Sequence, residues 1–236
     1  MDKWREVWSK KEISSTKHAS LKDLILADGF DTGVGSYDED SWREMAIDFF
    51  GRTNFSKSAS VLEIGCGSGA FLFALNELIK AKYFGLDYSS NHIDIAKIAL
   101  PEANLVAAEA NSAVFDDVSF DVIFSHSVFQ YFPDLNYAED VIERWCKKIK
   151  QGGSLVLLDL NDKQYEDNYH NERMLAYTNP DDYYENYKGL EHLFFDKAKL
   201  VNTLELCGMD HIEFFLHAVA DYGNAKFRFN VSCTKV

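Results

Sequence analysis

Residues 61–69 read VLEIGCGSG, an apolar run of strand length followed at once by alternating glycines. Glycines at such a turn let a ligand approach the backbone, and a helix that begins there offers it unpaired N–H groups. A second apolar run ends in GLDY at residues 85–88, which places Asp87 22 residues after Gly65. A carboxylate at that distance can accept hydrogen bonds from both hydroxyls of a ribose. The two segments together predict a site for a nucleoside cofactor.

Short apolar runs alternate with amphipathic segments along the rest of the chain. Before residue 161 the runs occupy residues 60–64, 83–86, 105–107, 120–125 and 154–158. Near-continuous apolar strands separated by helices are typical of a parallel sheet covered on both faces. Two later runs, residues 211–218 and 226–234, flank a short turn at residues 221–224 and predict an antiparallel hairpin. The expected fold class is α/β, with a seven-stranded, mostly parallel sheet.

The intervening segments carry helix signals and suggest a domain organisation. In residues 135–149, apolar residues recur three and four apart, acids come early and lysines late, as the helix dipole favours. The QGG at residues 151–153 then turns the chain into the fifth strand. A polar, tyrosine-rich stretch at about residues 161–191 is interpreted as an insertion over one end of the sheet. We expect residues 1–58 to form an N-terminal helical cap and residues 59–236 to form the cofactor-binding domain.

The composition limits the classes of partner. The chain has 236 residues, with 24 Lys and Arg against 38 Asp and Glu and a formal net charge of −14. Such a chain repels polyanions, so we expect neither nucleic acid nor a membrane surface as a partner. Its 47% hydrophobic and 26% charged residues are typical of a globular protein. We expect a monomer or a homodimer.

The N-terminus and the cysteines indicate the compartment. The first residues are charged and contain no apolar run of the signal-peptide type, and no segment is long enough to span a bilayer. The four cysteines lie far apart and form no CxxC pair, so we expect neither a metal site nor a disulfide framework. These features predict a cytoplasmic protein.

Two cofactors suit the glycine turn and the acid that follows it, NAD and S-adenosylmethionine (SAM). The match to GxGxxG/A, with Ala70 in the last place, keeps an NAD-dependent oxidoreductase open. Glu63 favours SAM, because a carboxylate two residues before Gly65 suits the ammonium of a methionine moiety and repels a pyrophosphate. The missing second mononucleotide-binding half also favours SAM. A non-catalytic binding subunit with the same fold stays open, because a cofactor site does not define the acceptor side.

These segments resemble the motifs of the class I SAM-dependent methyltransferases. Within that class, FQYFP at residues 129–133, YGN at 222–224 and RFN at 228–230 resemble the bacterial enzymes that act on small molecules. EIGCGSG at residues 63–69 resembles the first motif, and DY at residues 87–88 resembles the ribose and adenine motif. Further matching segments are EA at 109–110, SFDVIFS at 119–125 and IKQGG at 149–153. The resemblance is dense over residues 59–160 and implies SAM as the cofactor, with S-adenosylhomocysteine (SAH) as the product.

The resemblance also implies a role for each residue of the cofactor site. Glu63 holds the amino group of SAM, Asp87 the ribose hydroxyls, and Tyr88 lies on the adenine face. The other implied contacts are Gly65 and Gly67 at the methionine end, Glu109 and the Ala110 amide at the adenine amino group, Ser125 beside the sulfonium, and Cys66 packed beneath the cofactor.

Residues for the methyl acceptor must lie at the carboxyl ends of the parallel strands, where ligands bind in open α/β sheets. His126, after the fourth strand, is the candidate general base, needed if the acceptor is a hydroxyl that must lose its proton. Oxygen is the expected acceptor atom. Arg228 is the candidate partner for an anionic group on the acceptor. The other candidate acceptor contacts are Tyr37, Gln130, Tyr131, Tyr222 and Asn224.

Overall fold

The computed structural model describes residues 3–9, 19–30, 38–115, 117, 119–219 and 222–236. The strands in these segments are β1 (Ser60–Ile64), β2 (Lys82–Asp87), β3 (Asn104–Ala107), β4 (Phe120–His126), β5 (Ile149–Asn161), β6 (Met209–Phe215) and β7 (Arg228–Lys235). They form a seven-stranded sheet in the order β3-β2-β1-β4-β5-β7-β6. β1 to β5 pair in parallel, whereas β7 is antiparallel to β5 and to β6. The predicted fold class and the C-terminal hairpin are confirmed.

The fifth strand differs from the prediction at both ends. β5 already pairs with β4 at Ile149, and its register shifts before the regular ladder begins. Gly152 lies at φ +76° and a Cβ on Gly153 would lie 2.8 Å from the Asp121 carbonyl oxygen, so the glycines form an irregularity within the strand. At the other end the strand continues to Asn161, past a second register shift around Asp159, which lies at φ +66°.

Helices cover both faces of the sheet. They are α1 (Lys3–Ser9), α2 (Leu21–Ala27), α3 (Glu39–Thr53), α4 (Ala70–Leu78), α5 (Ser90–Ala99), α6 (Leu135–Cys146), α7 (Glu166–Met174), α8 (Pro180–Tyr187) and α9 (Lys197–Leu206). One apolar core lies between the sheet and α2 to α5, and a second lies between the sheet and the α6 and α9 helices. Among the described helices, none combines the length and the apolar character that a membrane crossing requires.

The second and third helices belong to the same core as the sheet. Leu24 of α2 and Trp42 and Phe49 of α3 lie in one buried cluster with Phe71 of α4 and Phe124 of β4. The side chains of α2 and α3 therefore complete one face of the sheet, and they do not form a separate core.

The segment between β5 and β6 contains α7 and α8 and holds α1 in place. Tyr169 of α7 forms a small buried cluster with Phe194 and Phe227. The Trp4 indole N–H of α1 donates to the Glu191 carbonyl at 3.1 Å, and its ring stacks on His192 with centroids 4.9 Å apart. The insertion predicted at about residues 161–191 thus contains two helices, and α1 packs beside the residues that follow them.

Candidate functional site

A cavity of about 400 Å³ opens at the carboxyl ends of β1, β2 and β4. β2 and β4 lie on opposite sides of β1, so the strand order reverses there, and ligands of open α/β sheets bind in the crevice at such a point. The cavity is lined by Trp4, Trp8, Asp28, Phe30, Trp42, Glu63, Gly65, Cys66, Gly67, Phe71, Leu86, Asp87, Tyr88, His92, Ala108, Glu109, Ala110, His126, Ser127, Val128, Tyr131, Phe132, Pro133 and Tyr137.

The turn between β1 and α4 forms the floor of this cavity. The amides of Gly65 and Cys66 donate to the Leu86 carbonyl at 2.8 and 3.0 Å, which ties the turn to β2. Gly65 lies at φ +71°, and a Cβ there would lie 2.5 Å from Cγ2 of Val128, so the position requires glycine. Burial raises the pKa of the Cys66 thiol well above its usual value, which keeps that side chain uncharged.

Asp87 joins the glycine turn to the start of α5. One carboxylate oxygen accepts from the Gly67 amide at 3.0 Å and the other from the Ser89 amide at 2.8 Å. Burial raises the pKa of Asp87, and the two backbone hydrogen bonds oppose that rise. Each oxygen keeps lone-pair capacity for one more donor.

Glu63 is a buried acid with an unsatisfied oxygen. It is 3% exposed, lines the cavity, and its Oε2 has no hydrogen-bond partner. Burial raises the pKa of Glu63 well above its usual value, and the neighbouring Asp28 and Asp87 raise it further. A buried carboxylate in this state is stabilised by a cation that reaches it from the cavity.

The charged groups of the cavity wall share one sign. Four carboxylates, those of Asp28, Glu63, Asp87 and Glu109, line the cavity, and the lining residues within the described segments include no lysine or arginine. The cavity is therefore suited to a ligand with positive charge and disfavours one that carries a pyrophosphate.

The other end of the cavity is aromatic. The His126 ring packs against Trp42 and Phe71, with centroids 5.2 and 5.3 Å apart, and Tyr131 contacts Trp4 and Trp8 at 4.8 and 5.5 Å. Burial lowers the pKa of His126 to about 4, with Asp159 opposing that shift. The imidazole is thus neutral at pH 7, between flat apolar walls.

Ten of the sequence-predicted site residues line the cavity, namely Glu63, Gly65, Cys66, Gly67, Asp87, Tyr88, Glu109, Ala110, His126 and Tyr131. Two others do not line the cavity but form hydrogen bonds with residues in or next to its wall. The Ser125 hydroxyl donates to the Ile64 carbonyl at 2.9 Å, and the Gln130 amide donates to the Ser127 hydroxyl at 2.9 Å. Tyr37 lies outside the described residues.

The three predicted residues of the C-terminal hairpin form a buried network that meets the cavity wall at Ser127, whose hydroxyl accepts from Arg228 Nη1 at 3.5 Å. Arg228 forms an ion pair with Asp159, and its Nη1 also donates to the Tyr222 hydroxyl at 2.8 Å. The Asn224 amide donates to that hydroxyl at 3.3 Å. The structure therefore differs from the prediction that Arg228 meets an anionic acceptor, because a fully buried Asp159 on β5 already takes its charge.

Asp28 and His92 also line the cavity, although neither is among the predicted site residues. Asp28 ends α2, and its Oδ1 accepts from the Ser68 amide at 2.7 Å. His92 Nε2 lies 3.9 Å from the same oxygen. The only local signal at Asp28 is the end of a helix before Gly29, so its place beside the glycine turn follows from how α2 packs. Trp4 and Trp8 were not predicted either, because their place in the cavity wall depends on how α1 packs.

The strand order, the glycine turn after β1 and the acid at the end of β2 define the fold of the class I SAM-dependent methyltransferases. Solved structures agree with this assignment. Magnesium protoporphyrin IX methyltransferase from Synechocystis PCC 6803, solved with bound SAM, aligns with a TM-score of 0.59 at 12% identity, over 100% of this chain and 90% of the other. A SAM-dependent methyltransferase from Clostridium acetobutylicum aligns with a TM-score of 0.63 at 12% identity, over 89% and 97%.

The sequence of the same core is similar to known methyltransferases. Residues 62–157 match the family described as "Methyltransferase domain". It is 29% identical over 126 residues to a demethylmenaquinone methyltransferase of Oceanobacillus iheyensis, covering 50% of each protein. It is 27% identical over 140 residues to a malonyl-[acyl-carrier protein] O-methyltransferase of Priestia megaterium, covering 56% of this chain and 50% of the other. The chain thus spans about half the length of these curated relatives.

Proposed function

We propose that this protein binds SAM and transfers its methyl group to a small, uncharged aromatic acceptor, with oxygen as the acceptor atom. The observation that carries the proposal is the charge of the cavity. Its described lining has four carboxylates and no lysine or arginine, and Glu63 has a buried oxygen without a partner. An ammonium and a sulfonium compensate these carboxylates, whereas the pyrophosphate of NAD adds like charge.

The names of similar proteins support the same activity. The relatives include a demethylmenaquinone methyltransferase and a malonyl-[acyl-carrier protein] O-methyltransferase, and a structure with the same fold contains SAM. These names support methyl transfer with SAM and, in one case, transfer to oxygen.

Different residues of the site bind different parts of SAM. Glu63 holds the ammonium, and the backbone at Gly65 and Gly67 lies along the methionine end. The free lone pairs of Asp87 accept the ribose hydroxyls. Tyr88 packs on the adenine, Glu109 and the Ala110 amide bind its amino group, and Cys66 packs beneath it. Ser125 lies behind the cavity wall and holds the end of β1 in place near the sulfonium. SAM supplies a methyl carbon bound to a positively charged sulfur, so the protein has to align an acceptor atom with it and exclude water.

The aromatic end of the cavity supports an uncharged, flat acceptor. Trp4, Trp8 and Tyr131 offer ring faces and edges for an aromatic body. His126 would accept the hydroxyl proton when the methyl group passes from sulfur to the acceptor oxygen, with the C–S bond broken and SAH as the leaving group. An imidazole with a pKa of about 4 suffices for this role, because the oxygen becomes strongly acidic once it is methylated. Ser127 and Gln130 hold the loop after β4 in place.

We further infer that residues 1–58 cap the cavity in a cytoplasmic protein. Trp4 and Trp8 of α1 and Trp42 of α3 supply part of the cavity wall, which supports the cap. Cys66, Cys146, Cys207 and Cys233 are free thiols, which supports a reducing compartment.

Isothermal titration calorimetry with SAM, SAH and NAD tests the proposed cofactor. We expect saturable binding of SAM and of SAH at one site, and no binding of NAD. Uncharged aromatic hydroxyl compounds that release SAH from the SAM-loaded protein then define the acceptor. Binding of NAD without binding of SAM or SAH would overturn the proposal.

A further inference from the structure

We propose that Asp28 is a specificity-determining residue whose carboxylate makes the cavity favour the positively charged cofactor SAM over its product SAH. The inference rests on the proposed function, since it concerns the two ligands of the methyl-transfer reaction. It assigns a role to a residue outside the glycine turn and the acid after β2.

Asp28 is fixed against the glycine turn from the other side. Its Oδ1 accepts from the Ser68 amide at 2.7 Å, and the Ser68 hydroxyl donates to the Leu24 carbonyl at 3.0 Å. A Cβ on Gly67 would lie 2.5 Å from the same Oδ1. The end of α2 therefore holds a carboxylate in direct contact with the turn that carries the methionine end of the cofactor.

Among the groups that face Asp28, His92 and the Ser68 hydrogen bonds stabilise its charge, whereas the neighbouring Asp87 destabilises it. His92 on α5 is the basic group near it, at 3.9 Å, and the His92 ring nitrogens also face the Ser89 hydroxyl and the Ala27 carbonyl. Glu63 on β1 and Asp87 on β2 are acids, and Glu109 beyond β3 acts on Asp87. The buried, unpartnered Oε2 of Glu63 in the same wall independently points to a cationic ligand.

SAM and SAH differ in charge only at the sulfur atom, and the carboxylate of Asp28 acts on that charge. They share the ammonium, the carboxylate, the ribose and the adenine, so a contact with any of these parts affects both ligands alike. SAM alone carries a positive charge on sulfur, and a carboxylate in a cavity of low dielectric stabilises that charge. The change in the ratio of the two dissociation constants when the Asp28 charge is removed therefore isolates the electrostatic contribution of Asp28. A cavity that prefers SAM also favours release of the product SAH.

Protonation of Asp28 gives this preference a pH dependence. Burial raises the pKa of Asp28 to about 6, with His92 and the Ser68 hydrogen bonds opposing the rise and Asp87 adding to it. The carboxyl group loses its charge as the pH falls through that value, and the ammonium of both ligands stays charged below about pH 7. SAM affinity should therefore fall more than SAH affinity between about pH 7 and pH 5.5.

Calorimetric titrations with SAM and SAH at pH 7 test the inference in wild type, Asp28→Asn and Asp94→Asn. Asparagine keeps the shape and the acceptor for the Ser68 amide and removes the charge. We expect Asp28→Asn to lower the preference for SAM over SAH by about threefold or more. Asp94→Asn, which removes an exposed acid from α5, should leave the preference unchanged.

The outcomes separate this inference from the proposed function. If Asp28→Asn binds both ligands with the wild-type ratio, or weakens both equally, the inference is overturned while the proposed function stands. If the wild type binds neither ligand, the proposed function fails. If Asp28→Asn does not fold, SAM and SAH titrations of the wild type between about pH 7 and pH 5.5 replace it. A ratio of the two dissociation constants that stays constant over this range also overturns the inference.

Discussion

At the scale of the residue, His126 shows how the aromatic wall controls a titratable group. Its ring lies 5.2 Å from Trp42, 5.3 Å from Phe71 and 5.9 Å from Phe30, and it is 5% exposed. Removal from water lowers its pKa to about 4. In the unfolded chain the pKa of a histidine is about 6.5. Folding above that pH requires no loss of a proton from the histidine, whereas folding below it does.

We predict that His126→Phe makes the free energy of unfolding less dependent on pH. A histidine with a lowered pKa contributes stability above its unfolded pKa, and this contribution is lost as the pH falls towards the folded pKa. Between pH 7.5 and pH 5.5 the wild type should lose about 1 kcal/mol through His126, and the variant should not. Urea unfolding at both pH values measures the difference. Both values lie above the pI of about 4.9.

His211→Asn serves as the control for this experiment. His211 is exposed on β6 and lies at φ +51°, a conformation that asparagine tolerates. Its pH dependence should match that of the wild type. An unchanged pH dependence in His126→Phe would show that the imidazole is protonated as readily in the folded as in the unfolded chain.

Among the site residues, those set by local sequence could be predicted and those set by long-range pairing could not. Glu63, Gly65 and Asp87 lie on strand ends and turns that short apolar runs and glycines reveal, and all three line the cavity. Arg228 and Asp159 are 69 residues apart, and nothing in either local sequence shows that they form a pair. The sequence therefore suggested that Arg228 was free to bind an anion, although its charge is already paired with Asp159.

At the scale of the element, the turn from β1 to α4 depends on close contact with the loop after β4. Gly65 lies at φ +71°, and the space that a Cβ would occupy is filled by Val128. Gly51, in α3, has a helical backbone, and a Cβ added to it would meet no atom within 4 Å. The two glycines thus differ in whether the fold requires them.

We predict opposite effects from the same substitution at these two positions. Gly65→Ala should lower the free energy of unfolding by about 2 to 4 kcal/mol, because it combines a left-handed backbone with overpacking. Gly51→Ala should raise it by about 0.5 to 1 kcal/mol, because alanine loses less backbone entropy in a helix. Urea unfolding of both variants gives the two values.

A double variant separates the two causes at Gly65. Val128→Ala makes room for the Cβ without changing the backbone, so Gly65→Ala should cost less in that background than in the wild type. If the two substitutions are additive, the contact with Val128 does not contribute. A Gly51→Ala variant less stable than the wild type would contradict the second half of the prediction.

The boundaries of strands were harder to predict than their existence. β1 has the predicted bounds because an apolar run and a glycine turn mark both ends. β5 is longer than its apolar run, because the backbone of the QGG segment continues the strand beside β4 even though its side chains suggest a turn. The hydrophobic pattern of the sequence does not reveal a strand that is formed by backbone pairing of this kind.

At the scale of the whole molecule, the N-terminal helices are part of the central core. Leu24, Trp42 and Phe49 share one buried cluster with Phe71 and Phe124. The sequence predicted a helical segment here, because amphipathic spacing is local. It could not show which surface those helices cover, because that depends on the apolar face that α4 and the sheet leave open.

This shared core predicts which shortened chains fold. Residues 19–236 keep α2 and α3 and should unfold cooperatively, with a melting temperature a few degrees below that of the full chain. Residues 59–236 begin at the predicted domain boundary, but they expose the faces that Leu24, Trp42 and Phe49 cover. Each of these side chains contributes about 1.5 to 3 kcal/mol on burial, a large part of the stability of a domain.

Near-ultraviolet circular dichroism during heating distinguishes the two shortened chains. We expect a sharp transition for residues 19–236 and none for residues 59–236, because a protein without one face of its core loses fixed aromatic packing before it loses its helices. A cooperative transition with native-like aromatic signals in residues 59–236 would show that the sheet and its remaining helices are stable alone. Residues 1–58 would then be a cap on an independent domain, and the cavity could be opened without unfolding the protein.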